Sequence, residues 1–173
     1  MIGDTQFKLF NVLFICAHNS ARSILAEALL NRLGAGRFEA YSAGIDPVPA
    51  ISPFALSLLH KINYNTGTLY TKDLGSVADK AEFDLIIRLS PELPANGRLP
   101  EFARHVPVVD WFMANPCDVS GTTSHVASVY ADVFNTLANR LDMLSKMSDA
   151  TLRGPRVVDI LERHGEDYLR MAG

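Results

Sequence analysis

The twelve residues Val12-Leu13-Phe14-Ile15-Cys16-Ala17-His18-Asn19-Ser20-Ala21-Arg22-Ser23 constrain the fold of this chain more than any other stretch. Four apolar residues in a row suit a strand buried on both faces, the kind found inside parallel sheets. The strand ends at a cysteine. After five more residues come an arginine and a serine, and there a helical pattern starts. A tight loop between a strand end and a helix start gathers backbone N–H groups at one point and favours negative charge there. A cysteine in such a field is held as thiolate. An arginine beside it can grip a tetrahedral oxyanion through two parallel N–H bonds, a geometry lysine lacks. Ser23 can either donate its hydroxyl to the cysteine sulfur or cap the helix that begins beside it. The expected site is a loop of Ala17, His18, Asn19, Ser20, Ala21 and Arg22 around an oxyanion, with Cys16 as nucleophile. His18 is expected to fix loop geometry rather than to act as a base.

The rest of the chain supplies a frame for that loop. Asn11 to Ile15 predicts the first strand. Ser23 to Leu33 predicts a helix, with Leu25, Leu29 and Leu33 along one stripe and Gly34 past its end. Phe38 to Ser42 alternates as a second strand before Ala43-Gly44. Ser52 and Pro53 open a second helix, a loop with Asn63, Asn65 and Gly67 follows, and Asp73 to Ala81 predicts a short third helix. Phe83 to Leu89 gives a third strand, the stretch from Pro94 to Pro100 a loop, and Val106 to Val109 a short fourth strand leading into Asp110-Trp111. Thr122 or Thr123 caps a long helix carrying Val126, Val129, Val133, Phe134, Leu137, Leu141 and Leu144 at spacings of three and four. Strands alternating with helices imply an α/β fold, a parallel sheet with helices on both faces. Sites in such sheets lie beyond the carboxyl ends of the strands, where Cys16 falls.

The run His18-Asn19-Ser20-Ala21-Arg22-Ser23, followed by Ile24-Leu25-Ala26-Glu27-Ala28-Leu29-Leu30, resembles the low-molecular-weight protein tyrosine phosphatase superfamily, and most of all its arsenate reductase branch. The resemblance continues through Tyr41-Ser42-Ala43-Gly44 and Trp111 to Gly121. It implies a three-layer αβα domain with a four-stranded parallel sheet over residues 1–149. Residues 150–173 remain as a C-terminal helical extension, in which Gly154-Pro155 precedes Val157, Val158, Ile160, Leu161, Tyr168 and Leu169. That extension is expected to dock on its own body rather than on a partner subunit.

The mechanism implied by the resemblance has two halves. Cys16 attacks phosphorus or arsenic while Arg22 and the loop amides stabilise the equatorial oxygens. An aspartate of an Asp-Pro pair on a distant loop then protonates the leaving oxygen and activates water. The matching segment is Asp110-Trp111-Phe112-Met113-Ala114-Asn115-Pro116-Cys117-Asp118, so Asn115 stands at the aspartate's position and cannot transfer a proton at neutral pH. Asp118 is the nearest carboxylate that can substitute; Asp110 lies on the other side of Trp111. Thioredoxin-coupled arsenate reductases carry two relay cysteines after the third strand, and Leu85 to Pro100 has none. Cys117 either closes a disulfide with an oxidised Cys16 or packs beneath Trp111 as a loop cysteine. Phosphotyrosine-specific relatives place aromatics directly after the Asp-Pro pair; here Cys117-Asp118-Val119 follows and that wall is missing. Trp111 and Phe112 are the candidates to replace it, but Trp111 matches a family tryptophan that looks structural, so a phosphotyrosine ring is expected to gain little stacking.

Three functions compete on these residues. Arsenate reduction completed by a thiol from outside the chain is expected first. Phosphomonoester hydrolysis through a phosphocysteine, including tyrosine phosphatase activity, is the alternative enzyme. A phosphate-binding or arsenate-binding module without turnover is the third reading. Composition narrows the setting. A net charge of −3 without a basic stripe gives no support to nucleic-acid binding. No apolar run approaches membrane-spanning length, and Met1 to Phe10 lacks a signal peptide's pattern. Two cysteines and five scattered histidines suggest neither a disulfide framework nor a metal site, and no cofactor is called for. A reducing, cytoplasmic setting is expected. Oligomeric state is not legible in the residues.

Overall fold

Side-chain alternation along the central strand decides which helices lie on which face of the sheet. The protein is described by a computed structural model over residues 8–171. The central strand, β1 (Phe10–Cys16), pairs on one edge with β2 (Phe38–Gly44), Cys16 opposite Gly44, and on the other with β3 (Leu85–Arg88). β4 (Val108–Asp110) extends the sheet beyond β3, and every pairing is parallel in the order β2-β1-β3-β4. The chain steps from β1 to one neighbour and later returns to its other edge. The carboxyl end of β1 is therefore a switch in strand order, where parallel sheets open a crevice.

Among the described residues the helices are, in chain order, α1 (Arg22–Leu33), α2 (Pro53–Lys61), α3 (Leu74–Val77), α4 (Thr123–Ser145), α5 (Asp149–Leu152) and α6 (Val157–Met171). Successive strand residues point to opposite faces. Val12, Phe14 and Cys16 thus join a core with α1, α2, α4, α5 and α6, while Leu13 and Ile15 face α3 and a short turn at Glu101–Ala103. Phe14, Ile24, Leu30 and Leu137 are fully buried in the larger layer. Burial of each such side chain stabilises the fold by ~1.5–3 kcal/mol.

The predicted frame holds, with local shifts. α1 is buried from Arg22 to Leu30, because it lies between the sheet and α4, but Leu33 is 41% exposed and leaves the stripe. Thr122, not Thr123, caps α4, its hydroxyl accepting the His125 N–H at 3.1 Å. α3 is a single turn capped by Asp73, shorter than the pattern suggested. Ser148 caps α5, which the sequence did not announce.

Leu152 of α5 and Val157 and Leu161 of α6 sit in the same core as β1. Met1 to Phe7 and the side chains of Tyr168 and Leu169 lie outside the described residues. Among those described, no helix is long and apolar enough to cross a membrane.

Candidate active site

β1 delivers Cys16 to the crevice and α1 begins six residues later, so the loop between them has little slack. Four of its backbone carbonyls are turned outward. Those of Cys16, Ala17, His18 and Ser20 accept N–H groups from Ile45, Asp46, Val48 and Ser52 at 2.8–3.2 Å. In a trans peptide the carbonyl of one residue and the N–H of the next point in opposite directions. The amides of Ala17, His18, Asn19 and Ala21 are thereby directed to the other side, into a common bowl. The Asn19 N–H confirms the direction, donating to Cys16 Sγ at 3.3 Å. His18 anchors the rim, Nδ1 lying 3.1 Å from the Asp46 carbonyl.

Turning the chain this sharply requires Asn19 at φ +51°, a left-handed conformation that asparagine tolerates better than most residues. Gly44 makes room for it: a Cβ there would stand 3.0 Å from both Asn19 N and Asn19 Cβ. Ala21, which precedes α1, has no side-chain cap. The first amides of the helix stay available to an anion.

The two expectations for Ser23 resolve in favour of the sulfur. Its Oγ lies 2.9 Å from Cys16 Sγ and accepts the side-chain N–H of Asn19 at 2.7 Å. With that oxygen engaged as acceptor, the hydroxyl proton is left to the sulfur. Behind the loop, Asn19 Nδ2 also donates to Ser42 Oγ at 3.0 Å, and Asn19 Oδ1 accepts the Lys72 N–H at 3.0 Å. Ser42 donates to Glu27 Oε1 at 3.1 Å and accepts from Lys72 Nζ at 3.3 Å. Glu27 and Lys72 form a buried pair at 3.6 Å. Burial pushes the Glu27 carboxyl above its ordinary range, against the pull of Lys72; burial likewise lowers the Lys72 ammonium, against Glu27.

Arg22 is 4% exposed and donates from Nη1 to the Met113 carbonyl at 3.0 Å. The segment after β4 is thus part of the cradle. Within it, Asn115 directs its side-chain oxygen to the Cys117 N–H at 3.1 Å, closing a turn over Pro116–Asp118. Asp118 is exposed in that turn, and Asp110 is engaged by Arg88 at 3.1 Å.

Cys117 is not packed beneath Trp111. It is exposed, with Sγ 3.4 Å from Ser20 Oγ in the loop and 3.1 Å from Tyr130 Oη on α4. Ser52 donates to Tyr130 Oη at 2.9 Å, so the Tyr130 proton is directed at the Cys117 sulfur. Burial and the neighbouring Cys117 push the Tyr130 hydroxyl up to about 12, which keeps it a donor. Trp111 is 1% exposed and cannot line the mouth. Phe112 is exposed, with the Arg88 guanidinium 5.1 Å from its ring centre.

Sequence reasoning missed Glu27, Lys72, Tyr130 and the Met113 carbonyl. Glu27 and Ser42 carried a signal only as members of the runs Ile24–Leu30 and Tyr41–Gly44 that bear the resemblance, with no role assigned to either.

Residues 11–152 match the model of the low molecular weight phosphotyrosine protein phosphatase family. The chain belongs to this family. The chain is also similar to known proteins along most of their length. An arsenate reductase of Oceanobacillus iheyensis is 24% identical over 142 residues, covering 80% of this chain and 96% of the relative. The structure of an arsenate reductase from Archaeoglobus fulgidus superposes with a TM-score of 0.63 at 26% identity, over 79% of this chain and 99% of that one. The YwlE arginine phosphatase from Geobacillus stearothermophilus shares the fold, with a TM-score of 0.60 at 21% identity over 79% of this chain and 91% of its own.

Proposed function

We propose that this chain reduces arsenate, with Cys16 as nucleophile and a thiol from outside the chain as the second electron donor. What supports this reading is the Cys16–Arg22 loop beside a segment in which Asn115, the residue that the resemblance sets at the hydrolases' aspartate position, is an amide with its side-chain oxygen on the Cys117 N–H. Hydrolysis needs a titrating group in both of its steps. The small inorganic anion also suits a mouth without a free aromatic wall, because Trp111 is buried and the exposed Phe112 ring has the Arg88 guanidinium over it. Arsenate reductases among the similar proteins support the same choice.

In this proposal the Cys16 sulfur, with the Ser23 hydroxyl and the Asn19 amide on it, attacks arsenic. A sulfur–arsenic bond forms, an arsenic–oxygen bond breaks, and the oxygen leaves as water, carrying the two protons of the dihydrogen arsenate anion. Arg22 and the amides of the loop from Ala17 to Ala21 hold the remaining oxygens as charge develops. The external thiolate then attacks the Cys16 sulfur. A disulfide forms, the sulfur–arsenic bond breaks with its electron pair on arsenic, and arsenite departs. Two electrons have passed from two thiols to arsenic, and a further thiol reopens the mixed disulfide. Phosphate competes for the same cradle. Asp118 has a part only in the hydrolytic alternative, as substitute acid.

The test is arsenate-dependent oxidation of a low-molecular-weight thiol, run beside aryl phosphate hydrolysis, on wild type and Cys16→Ser. The expected result is thiol oxidation that needs arsenate and Cys16, with slow aryl phosphate turnover. Steady hydrolysis without arsenate-dependent oxidation would move the assignment to a phosphatase. Phosphate binding with neither activity would leave a binding module.

A further inference from the structure

We infer that α6, through Gly165 and Trp111, positions the arginine that binds the oxyanion. The inference rests on the reading of Arg22 as an oxyanion ligand.

Trp111 is the chain's single tryptophan, and its ring is held from the side of α6. Nε1 donates to the Leu161 carbonyl at 2.8 Å. Gly165, one turn further, approaches so closely that a Cβ would stand 3.0 Å from Trp111 Cδ1 and 3.4 Å from Nε1. The Arg140 guanidinium lies 5.6 Å from the ring centre and donates from Nη2 to the Gly165 carbonyl at 3.3 Å. Glycine is among the poorest helix formers. At this position its value is the close approach it permits.

From the ring, a short taut run leads to the site. The Trp111 N–H donates to the Arg88 carbonyl at 2.8 Å and the Met113 N–H to the Leu89 carbonyl at 3.0 Å, so residues 111–113 continue the line of β4 beside β3. The Met113 carbonyl is the group that receives Arg22. Displacing the indole outward shifts this carbonyl and with it the guanidinium. The Cys16 sulfur, held by Ser23 and Asn19, does not depend on that route. The matched family region ends at residue 152, so α6 is an addition of this chain to the site's support.

Site-resolved iodoacetate labelling of Cys16, with and without inorganic phosphate, separates the two effects. In wild type, phosphate should protect Cys16. In Gly165→Leu the half-protecting phosphate concentration should rise about tenfold, the scale of one weakened charge-assisted hydrogen bond. The unprotected labelling rate should stay within about twofold, since the sulfur's own donors are untouched. Gly165→Ala, whose Cβ forces a shift of only a few tenths of an ångström while favouring the helix, should move phosphate protection in the same direction by less. It keeps the test open if the leucine variant does not fold. An unchanged half-protecting concentration in a folded variant would overturn the inference, as would equal losses in labelling and protection, the mark of general loosening. Failure of phosphate to protect wild type would instead bring down the reading of the site itself.

Discussion

The side-chain oxygen of Asn115 accepts the Cys117 N–H at 3.1 Å, so the residue proposed at the family's proton-transfer position is holding a turn together. An aspartate can keep that bond, since both residue types form such turns, and adds an oxygen that titrates. Asn115→Asp should therefore raise aryl phosphate turnover by at least about tenfold, the low end for general acid catalysis. An unchanged kcat measured beside wild type would show that protons are not handled here.

Ser23 is the second test of the loop. Removing its hydroxyl takes one donor from the Cys16 sulfur and leaves the Asn19 side-chain N–H without its 2.7 Å acceptor. Ser23→Ala should slow iodoacetate labelling of Cys16 at mildly acidic pH by about tenfold, equivalent to ~1.4 kcal/mol or one charge-assisted hydrogen bond. Labelling at the wild-type rate would assign the sulfur's reactivity to the amides alone.

The Glu27–Lys72 pair makes stability depend on pH in a stated direction. A carboxyl raised in the folded state adds stability below its unfolded value and loses it as pH rises through the folded one; a lowered ammonium adds stability above its unfolded value and loses it as pH falls through the folded one. Wherever both are charged they attract each other across 3.6 Å. Lys72→Met removes the cation that draws Glu27 down, so the carboxyl moves further up. The variant should lose about 3–5 kcal/mol near neutral pH, with a deficit that shrinks toward acid as Glu27 takes up its proton. Urea midpoints across that range measure it, and adding Glu27→Gln should recover most of the loss. A deficit growing toward acid would contradict the assignment.

Cys117 sits at the rim with two hydroxyls on its sulfur, and both cysteines are free. Dilute hydrogen peroxide should convert Cys16 to its sulfenic acid, which the Cys117 thiol attacks, forming a disulfide and releasing water. Intact mass of the wild type should fall by two hydrogens, with both thiols lost to alkylation. Cys117→Ser should instead gain oxygen at Cys16. Gain of oxygen in the wild type as well would mean that the 110–118 segment does not close over the loop.

What could be known from the chain alone was local. β1, the loop and α1 are contiguous, and their decisive bonds, Cys16 to Ser23 and Asn19 to Cys16, span at most seven residues. A buried run followed by a cysteine, small polar residues, an arginine and a helix leaves few ways to arrange those contacts. Leu33 fell outside the stripe: burial of α1 stops at Leu30, a boundary no periodicity marks.

The rest was decided by the sheet order and the helix layers. Lys72 reaches Asn19 across 53 residues, Met113 receives Arg22 across 91, and Cys117 meets Ser20 across 97. The resemblance marks Trp111 as structural, but its partners, the Leu161 carbonyl and Gly165 of α6, lie about fifty residues on. Hydrophobic periodicity reports which way a side chain points relative to its own element. Which distant carbonyl, hydroxyl or ammonium waits there depends on how elements far apart in the chain are brought together, and that is settled only when they pack.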